Sequence, residues 1–206
     1  ICQTGRIGSH IDVEAAAERQ IAVVEGVGDP VAPAELTWAL ILAASRKLPQ
    51  YANFMKQGVW QSSSIDPMRN TLGRTLNGRT LGIWGYGRIG QLVARYANAF
   101  GMHVMVWGSE ASRALAIDHG FVAAQSKEEL FIQSDVLSLH LRLSEQTRHI
   151  VNEHELGLMK PDALFVNTSR AELIAPNALE NALKSGRPGA AALDVFDVEP
   201  VPRTHA

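Results

Sequence analysis

Residues 79–97 read RTLGIWGYGRIGQLVARYA, and the reading of this stretch decides the rest. LGIW is a short apolar run without polar alternation, the pattern of a strand buried on both faces. Glycines follow at 85, 87 and 90 in the order G-Y-G-R-I-G, and residues 91–100 then return to helical spacing. A spaced-glycine pattern is weak alone but gains meaning directly after a strand and directly before a helix. There the first glycine permits a tight turn, the second lets backbone approach a pyrophosphate, and the third lets helix and strand pack closely. The helix start adds unpaired N–H groups and partial positive charge. A turn with no ligand is the blander reading; spacing and context favour a dinucleotide cradle at Gly85, Gly87 and Gly90.

Outward from this unit the alternation continues. Strands are predicted at HVMVW (103–107), FVAA (121–124), DVLSLHL (135–141), ALFVNT (163–168) and AAALDVF (190–196), with helices near 111–118, 127–132, 153–158 and 177–184 between them. Apolar strands alternating with helices predict an α/β fold, a doubly wound parallel sheet covered on both faces. Upstream, 11–19 reads as a helix capped by Asp12, and IAVVEG from Ile21 as a buried strand. Gly26, Gly28, Pro30 and Pro33 then punctuate the chain. Residues 34–48 predict a strong helix, with Glu35 early and Arg46 and Lys47 late, as the macrodipole favours. Its apolar residues cover more than one face, so burial on two sides is expected, with Trp38 and Leu42 against a second subunit. Residues 57–77 read as a long polar connection. The boundary falls near residue 30: 1–30 belongs to one domain and 31–206 to the dinucleotide domain.

The bulk numbers exclude several classes. With 206 residues, 46% hydrophobic and 19% charged, the chain has the composition of a globular domain. A net charge of −2 argues against a broad nucleic-acid or anionic-membrane footprint. The longest apolar run, 36–45, is too short to cross a bilayer. The one cysteine, Cys2, excludes an internal disulfide and reads as a small strand residue in a reducing compartment, so a soluble cytoplasmic protein is expected. The absent initiator Met and an ending just after AAALDVF predict further sequence at both ends.

The strand 103–107 should be followed by an acid if the adenosine ribose is held as in a typical NAD site. Gly108, Ser109 and Glu110 follow instead. Ser109, Ser112 or Arg113 could bind a 2′-phosphate, yet no arginine occupies the strand end and Glu110 could still reach the ribose. NAD and NADP both remain open.

The segments TGRIGSHIDVEAA, APAELTWALILA, GRTLGIWGYGRIG, DVLSLHLRLSEQTRHIV, MKPDALFVNTSR and ALDVFDVEP together resemble the D-isomer-specific 2-hydroxyacid dehydrogenases over nearly the whole chain. The resemblance implies a Rossmann-like dinucleotide domain preceded by a remnant of a flavodoxin-like substrate domain. It implies hydride transfer between a nicotinamide and C2 of a D-2-hydroxy acid or 2-oxo acid; the 34–48 helix, apolar on more than one face, is the candidate surface of a homodimer. Arg170 then grips the substrate carboxylate, to which a guanidinium offers two hydrogen bonds. Glu199 partners a catalytic histidine, whose pKa a carboxylate raises. Asp194 holds the nicotinamide carboxamide, Arg88 and Ile89 lie over the pyrophosphate, Thr168 and His140 line the nicotinamide end, and Ser109 faces the adenosine. Gly5 and Arg6 belong to a first-domain loop that helps bind the carboxylate.

Without the resemblance, Arg170 reads as a surface arginine, Asp194 as a strand-end cap, Glu199 as a solvated acid and His140 as a core histidine. Two departures stand out. The family's proton-relay histidine follows the glutamate by about 20 residues, beyond the end of this sequence, and His205 is too near Glu199 to replace it. Ala171 stands where many relatives have glycine. The rival readings are a formate dehydrogenase on the same frame and a non-catalytic NAD(H)-binding regulator of the corepressor type.

Overall fold

The computed structural model describes residues 1–5, 7, 11–60 and 72–202. The chain opens with β1 (Cys2–Gln3), α1 (Val13–Glu18) and β2 (Val24–Glu25), followed by α2 (Val31–Ser45) and α3 (Leu48–Lys56). Asp12 caps α1 as expected, its side chain accepting the Ala15 N–H at 2.9 Å. The strand expected from Ile21 differs from its forecast. It is two residues long, pairs in parallel with β1, and both its residues are exposed. Among the described residues no further strand joins this small sheet.

Helix α2 begins three residues earlier than expected and ends three earlier. Pro33 is tolerated because the N–H groups of a first turn have no intrahelical acceptor. At the far end Lys47 takes a left-handed φ of 54°, and Pro49 helps open α3, a helix not expected from the sequence, which assigns residues 49–56 to no element. Ala34, Thr37, Trp38 and Ile41 form one buried stripe at i, i+3, i+4, i+7, packed on the sheet and the next helix, while Val31 and Leu36 are exposed. Within this chain, therefore, α2 is buried on one side, not two. Trp38 is part of the chain's own core, edge-on to Tyr96 and Phe100 with ring centroids 6.2 and 5.0 Å away. It cannot be a subunit-facing residue, and the outward face is carried by Val31 and Leu36 instead.

From Thr80 the alternation is regular: β3 (Thr80–Trp84), α4 (Arg88–Ala99), β4 (His103–Trp107), α5 (Glu110–Asp118), β5 (Val122–Ala123), α6 (Lys127–Gln133), β6 (Val136–Leu139), α7 (Glu153–Leu158), β7 (Leu164–Asn167), a 3₁₀ turn (Ala171–Leu173), α8 (Ala178–Ser185) and β8 (Ala190–Leu193). The strands form one parallel sheet in the order β5-β4-β3-β6-β7-β8. Helices α2, α4 and α5 bury Ile41, Val93 and Ala116 on one face. Helices α6, α7 and α8 bury Phe131, Leu156 and Leu179 on the other. This double cover explains why β6 and β7 read as unbroken apolar runs, with all eight of their residues buried.

At the N-terminal ends of the strands the charges are paired with one another. Asp135 accepts the Thr80 N–H at 2.8 Å and Lys160 Nζ at 2.9 Å, with Arg79 at 3.6 Å. Arg74 binds the carbonyl of Asp162 at 2.8 Å and also its carboxylate.

Candidate functional site at the carboxyl edge of the sheet

The register places the site. Trp84 lies beside Trp107 on one flank and Leu139 on the other, Leu139 beside Asn167, and Asn167 beside Leu193. The residues that follow each strand, Gly108, Gly85, His140, Thr168 and Asp194, therefore form a row along one edge. The ladder runs on into this row: the Gly85 N–H donates to Trp107 O at 2.9 Å, His140 N–H to Trp84 O at 2.8 Å, and Asp194 N–H to Asn167 O at 3.1 Å. After β3 the chain runs outward to β4 and β5, then crosses to β6 on the other side. Between β3 and β6 the order reverses, and open sheets bind ligands in the crevice at such a switch point.

The glycine loop lies in that crevice. Gly85 has a φ of 101°, and a Cβ there would meet His140 O at 2.5 Å. At Gly90 a Cβ would lie 2.4 Å from Gly85 O, so only glycine lets α4 approach its own loop. Gly87 is the N-cap of α4, with open space in its side-chain direction and no side chain capping the helix. The N–H groups of Arg88, Ile89 and Gly90 thus lack intrahelical acceptors and face the crevice end of the helix. An open approach at Gly87 onto an uncapped helix start fits a dinucleotide pyrophosphate.

Tyr86, between the first two glycines, went unnoticed in the sequence reading. It is buried, with its hydroxyl 3.0 Å from His119 Nδ1 and its ring edge-on to His119 and Phe121. Burial raises its phenol above the usual value. It fastens the loop to the far side of α5. Loop position gave no hint of this, because its partners, His119 and Phe121, lie far along the chain.

Further along the row, His140 Nε2 lies 3.0 Å from the hydroxyl of the buried Ser138, and burial pushes its pKa down to about 4, so the imidazole is neutral. Thr37 on α2 donates its only hydroxyl proton to Pro33 O at 2.8 Å. Its 2.7 Å contact with Thr168 therefore has Thr168 as donor, leaving the Thr168 oxygen to act as an acceptor in the cleft.

Asn167, also missed, ends β7 fully buried. Its Oδ1 accepts the Ser169 N–H at 3.0 Å and its Nδ2 donates to Arg170 O at 2.8 Å. Ser169 Oγ donates to Leu139 O at 2.8 Å. These bonds fix the 167–170 loop and leave Arg170 projecting, exposed, with Nη1 on Ser169 O at 2.6 Å. A buried amide at the end of an apolar strand was the available signal.

Asp194 is exposed at the end of the row, and Glu199 beyond it accepts the Phe196 N–H at 3.1 Å through Oε1. Ser109 caps α5: its Oγ accepts the Ser112 N–H at 3.2 Å and donates to Ser112 Oγ at 3.0 Å. Gly5 lies apart on the N-terminal segment, its carbonyl accepting the Gly26 N–H at 3.2 Å. Arg6 and His205 lie outside the described residues. Among the described residues no cluster of His, Cys, Asp or Glu could hold a metal ion, and no helix is long and apolar enough to cross a membrane.

Residues 38–206 match the family described as D-isomer specific 2-hydroxyacid dehydrogenase, NAD binding domain. The chain is 43% identical over 199 residues to a glyoxylate reductase of Aeropyrum pernix, covering 95% of this chain and 59% of that protein. A phosphoglycerate oxidoreductase from Vibrio cholerae superposes with a TM-score of 0.90 at 51% identity, covering 98% of this chain and 63% of the other. A D-lactate dehydrogenase from Aquifex aeolicus, complexed with NAD and lactic acid, superposes with a TM-score of 0.77 at 33% identity, covering 95% of this chain and 56% of the other. The chain thus spans about three-fifths of the length of these relatives.

Proposed function

The chain belongs to the D-isomer specific 2-hydroxyacid dehydrogenase family by its NAD-binding domain, and from that premise we propose that it is the cofactor-binding part of an enzyme interconverting a 2-oxo acid and a D-2-hydroxy acid. The observation that carries the proposal is the row Gly85, His140, Thr168, Asp194, set at the switch point of the sheet beside an uncapped helix start. When bound, the dinucleotide supplies or accepts the hydride. Gly85, Gly87 and Gly90 admit its pyrophosphate, with Arg88 and Ile89 alongside. Thr168 and Asp194 present acceptors to the carboxamide end, and neutral His140 adds no charge that would oppose a cationic ring. Arg170, held out by Asn167 and Ser169, binds the substrate carboxylate and aims the C2 carbonyl. Glu199 holds the proton-relay histidine supplied by sequence beyond these residues. Gly5 and Arg6 complete the carboxylate site from the first 30 residues, a segment of the substrate domain; residues 31–206 form the dinucleotide domain.

Names borne by relatives point to glyoxylate or hydroxypyruvate as substrate. The decisive experiment is turnover of these two acids by the protein that carries this chain together with its flanking sequence. Arg170→Ala should cut kcat/KM by at least a hundredfold, roughly the loss of a bidentate charged pair, and leave cofactor affinity intact. Equal loss of cofactor affinity would show that Arg170 is misplaced.

The same reading makes the enzyme a cytoplasmic homodimer, supported by one unpaired cysteine, Cys2, and by the apolar outer face of α2. Leu36→Lys should yield monomers by light scattering; an unchanged dimer would remove α2 from the interface.

A further inference from the structure

We infer that the adenosine end of the crevice is built for a 2′-phosphorylated dinucleotide, with Arg113 as the residue that selects it. The inference rests on the dinucleotide reading and adds which cofactor is preferred. The acid that would bind an unmodified ribose is missing where the sheet requires it. Position 108 follows β4 directly, and a side chain there would point between α5 and the glycine loop, its Cβ 3.3 Å from Ser112 Cβ and 3.9 Å from Gly85 Cα. A carboxylate at that point would accept the ribose hydroxyls and repel a phosphate. Glycine does neither.

The sequence has no arginine at the strand end, but the folded chain delivers one. Arg113 is on α5, five residues past Gly108, yet its guanidinium carbon lies 4.7 Å from the ring centroid of Trp107, the last residue of β4. The stack brings the guanidinium back along the helix to the strand end. Its Nε is enclosed without a hydrogen-bond partner, and no ion pair neutralises the group among the described residues. Glu110, three residues earlier on the same helix, forms no ion pair with it and is exposed. A permanently charged, pre-oriented and unpaired guanidinium beside a strand end without a carboxylate is suited to a phosphate monoester. The Ser109 and Ser112 hydroxyls, paired at 3.0 Å, lie on the same helix turn.

The test is calorimetric titration of this chain with NADPH, NADH, 2′,5′-ADP and 5′-AMP. The expected result is at least tenfold tighter binding of NADPH than NADH, with 2′,5′-ADP likewise preferred over 5′-AMP. Arg113→Ala should bring each pair within about threefold while sparing NADH, Arg113→Lys should fall between, and Gly108→Asp should reverse the order. Unfolding of any variant is checked by its melting curve, and the wild-type ratios alone suffice to decide. NADH bound as tightly as NADPH, or an Arg113→Ala loss shared by both, would overturn the inference and leave the dinucleotide reading intact. Binding of none of the four ligands would overturn both.

Discussion

The two edges of the parallel sheet both carry polar residues and treat them in opposite ways. Along the amino edge, Asp135 is held by Thr80 N–H, Lys160 and Arg79, and Asp162 by Arg74. Each charge there has a partner, and the arrangement ties three strand beginnings together. Along the carboxyl edge, Arg170, Asp194 and Glu199 form no ion pair among the described residues, and α4 starts without a cap. What is ordered there is the backbone, by glycines, by Asn167 and by the Tyr86–His119 contact. One edge uses its polar groups to hold the fold; the other holds its polar groups ready for something else.

The largest effect should come from breaking the ready edge at its backbone. Gly90→Val would place a Cβ 2.4 Å from Gly85 O, so the loop must move away from α4. Cofactor affinity should fall by on the order of a hundredfold, close to 3 kcal/mol, measured by titration with NADH or NADPH. Wild-type affinity in this variant would mean that the loop does not bind the pyrophosphate. Second in size is Asp135→Ala, which leaves the Thr80 N–H and Lys160 without this acceptor and Arg79 with Asp162 alone. It should lower stability by about 1–3 kcal/mol, seen as a lower denaturant midpoint, with cofactor affinity unchanged. If affinity fell instead, the two edges would not be separable.

Part of the carboxyl edge was legible from residue order, and none of the amino edge's charge pairing was. Gly85, Gly87 and Gly90 were legible from their spacing between a strand and a helix, whereas His140, Thr168 and Asp194 were named only by the family resemblance; the parallel register then sets Gly85, His140, Thr168 and Asp194 in one row. Tyr86 and the Arg113–Trp107 stack were not legible, because their roles depend on what lies across the fold and not along the chain. The orientation of α2 was illegible for a related reason. Apolar composition does not say which face meets the sheet, and Trp38 turned inward to Tyr96 and Phe100. The Ile21 strand failed because an apolar run can pair with a two-residue neighbour and remain exposed.

Acid should separate the edges in pH. His140 is pushed down to about 4 by burial, so between its ordinary 6.5 and 4 the unfolded chain takes up a proton that the folded chain refuses. Stability should decline as pH falls through that window, because of the carboxyl edge. Burial alone would raise Asp135, but the Thr80 N–H and Lys160, with Arg79, outweigh it and hold the carboxyl below the usual range. Its contribution is present above the ordinary carboxylate pKa and is lost only as pH drops below about 4. Glu155, kept low against its burial by Lys127 and the Asn152 N–H, adds to this second decline. In denaturant titrations, His140→Gln should flatten the first decline and Asp135→Asn the second. A single decline common to both variants would break the separation.

The smallest expected effect is also the sharpest on the comparison. Arg170 is exposed, and its side chain's one hydrogen bond runs to the carbonyl of the preceding residue. A surface side chain with no other partner contributes little, so Arg170→Ala should change stability by no more than about 0.5 kcal/mol. Arg74→Ala, the matching truncation on the amino edge, removes hydrogen bonds to both the carbonyl and the carboxylate of Asp162. That pair is itself half exposed, and solvent limits its worth to at most about 1 kcal/mol. The order of the two losses carries the information, and unfolding both variants in one denaturant series reads it directly. If Arg170→Ala proved the more damaging, its guanidinium would be structural, holding the 167–170 loop in place of Asn167. The carboxyl edge would then be held together by its charges just as the amino edge is, and Arg170 would lose its freedom to meet a substrate.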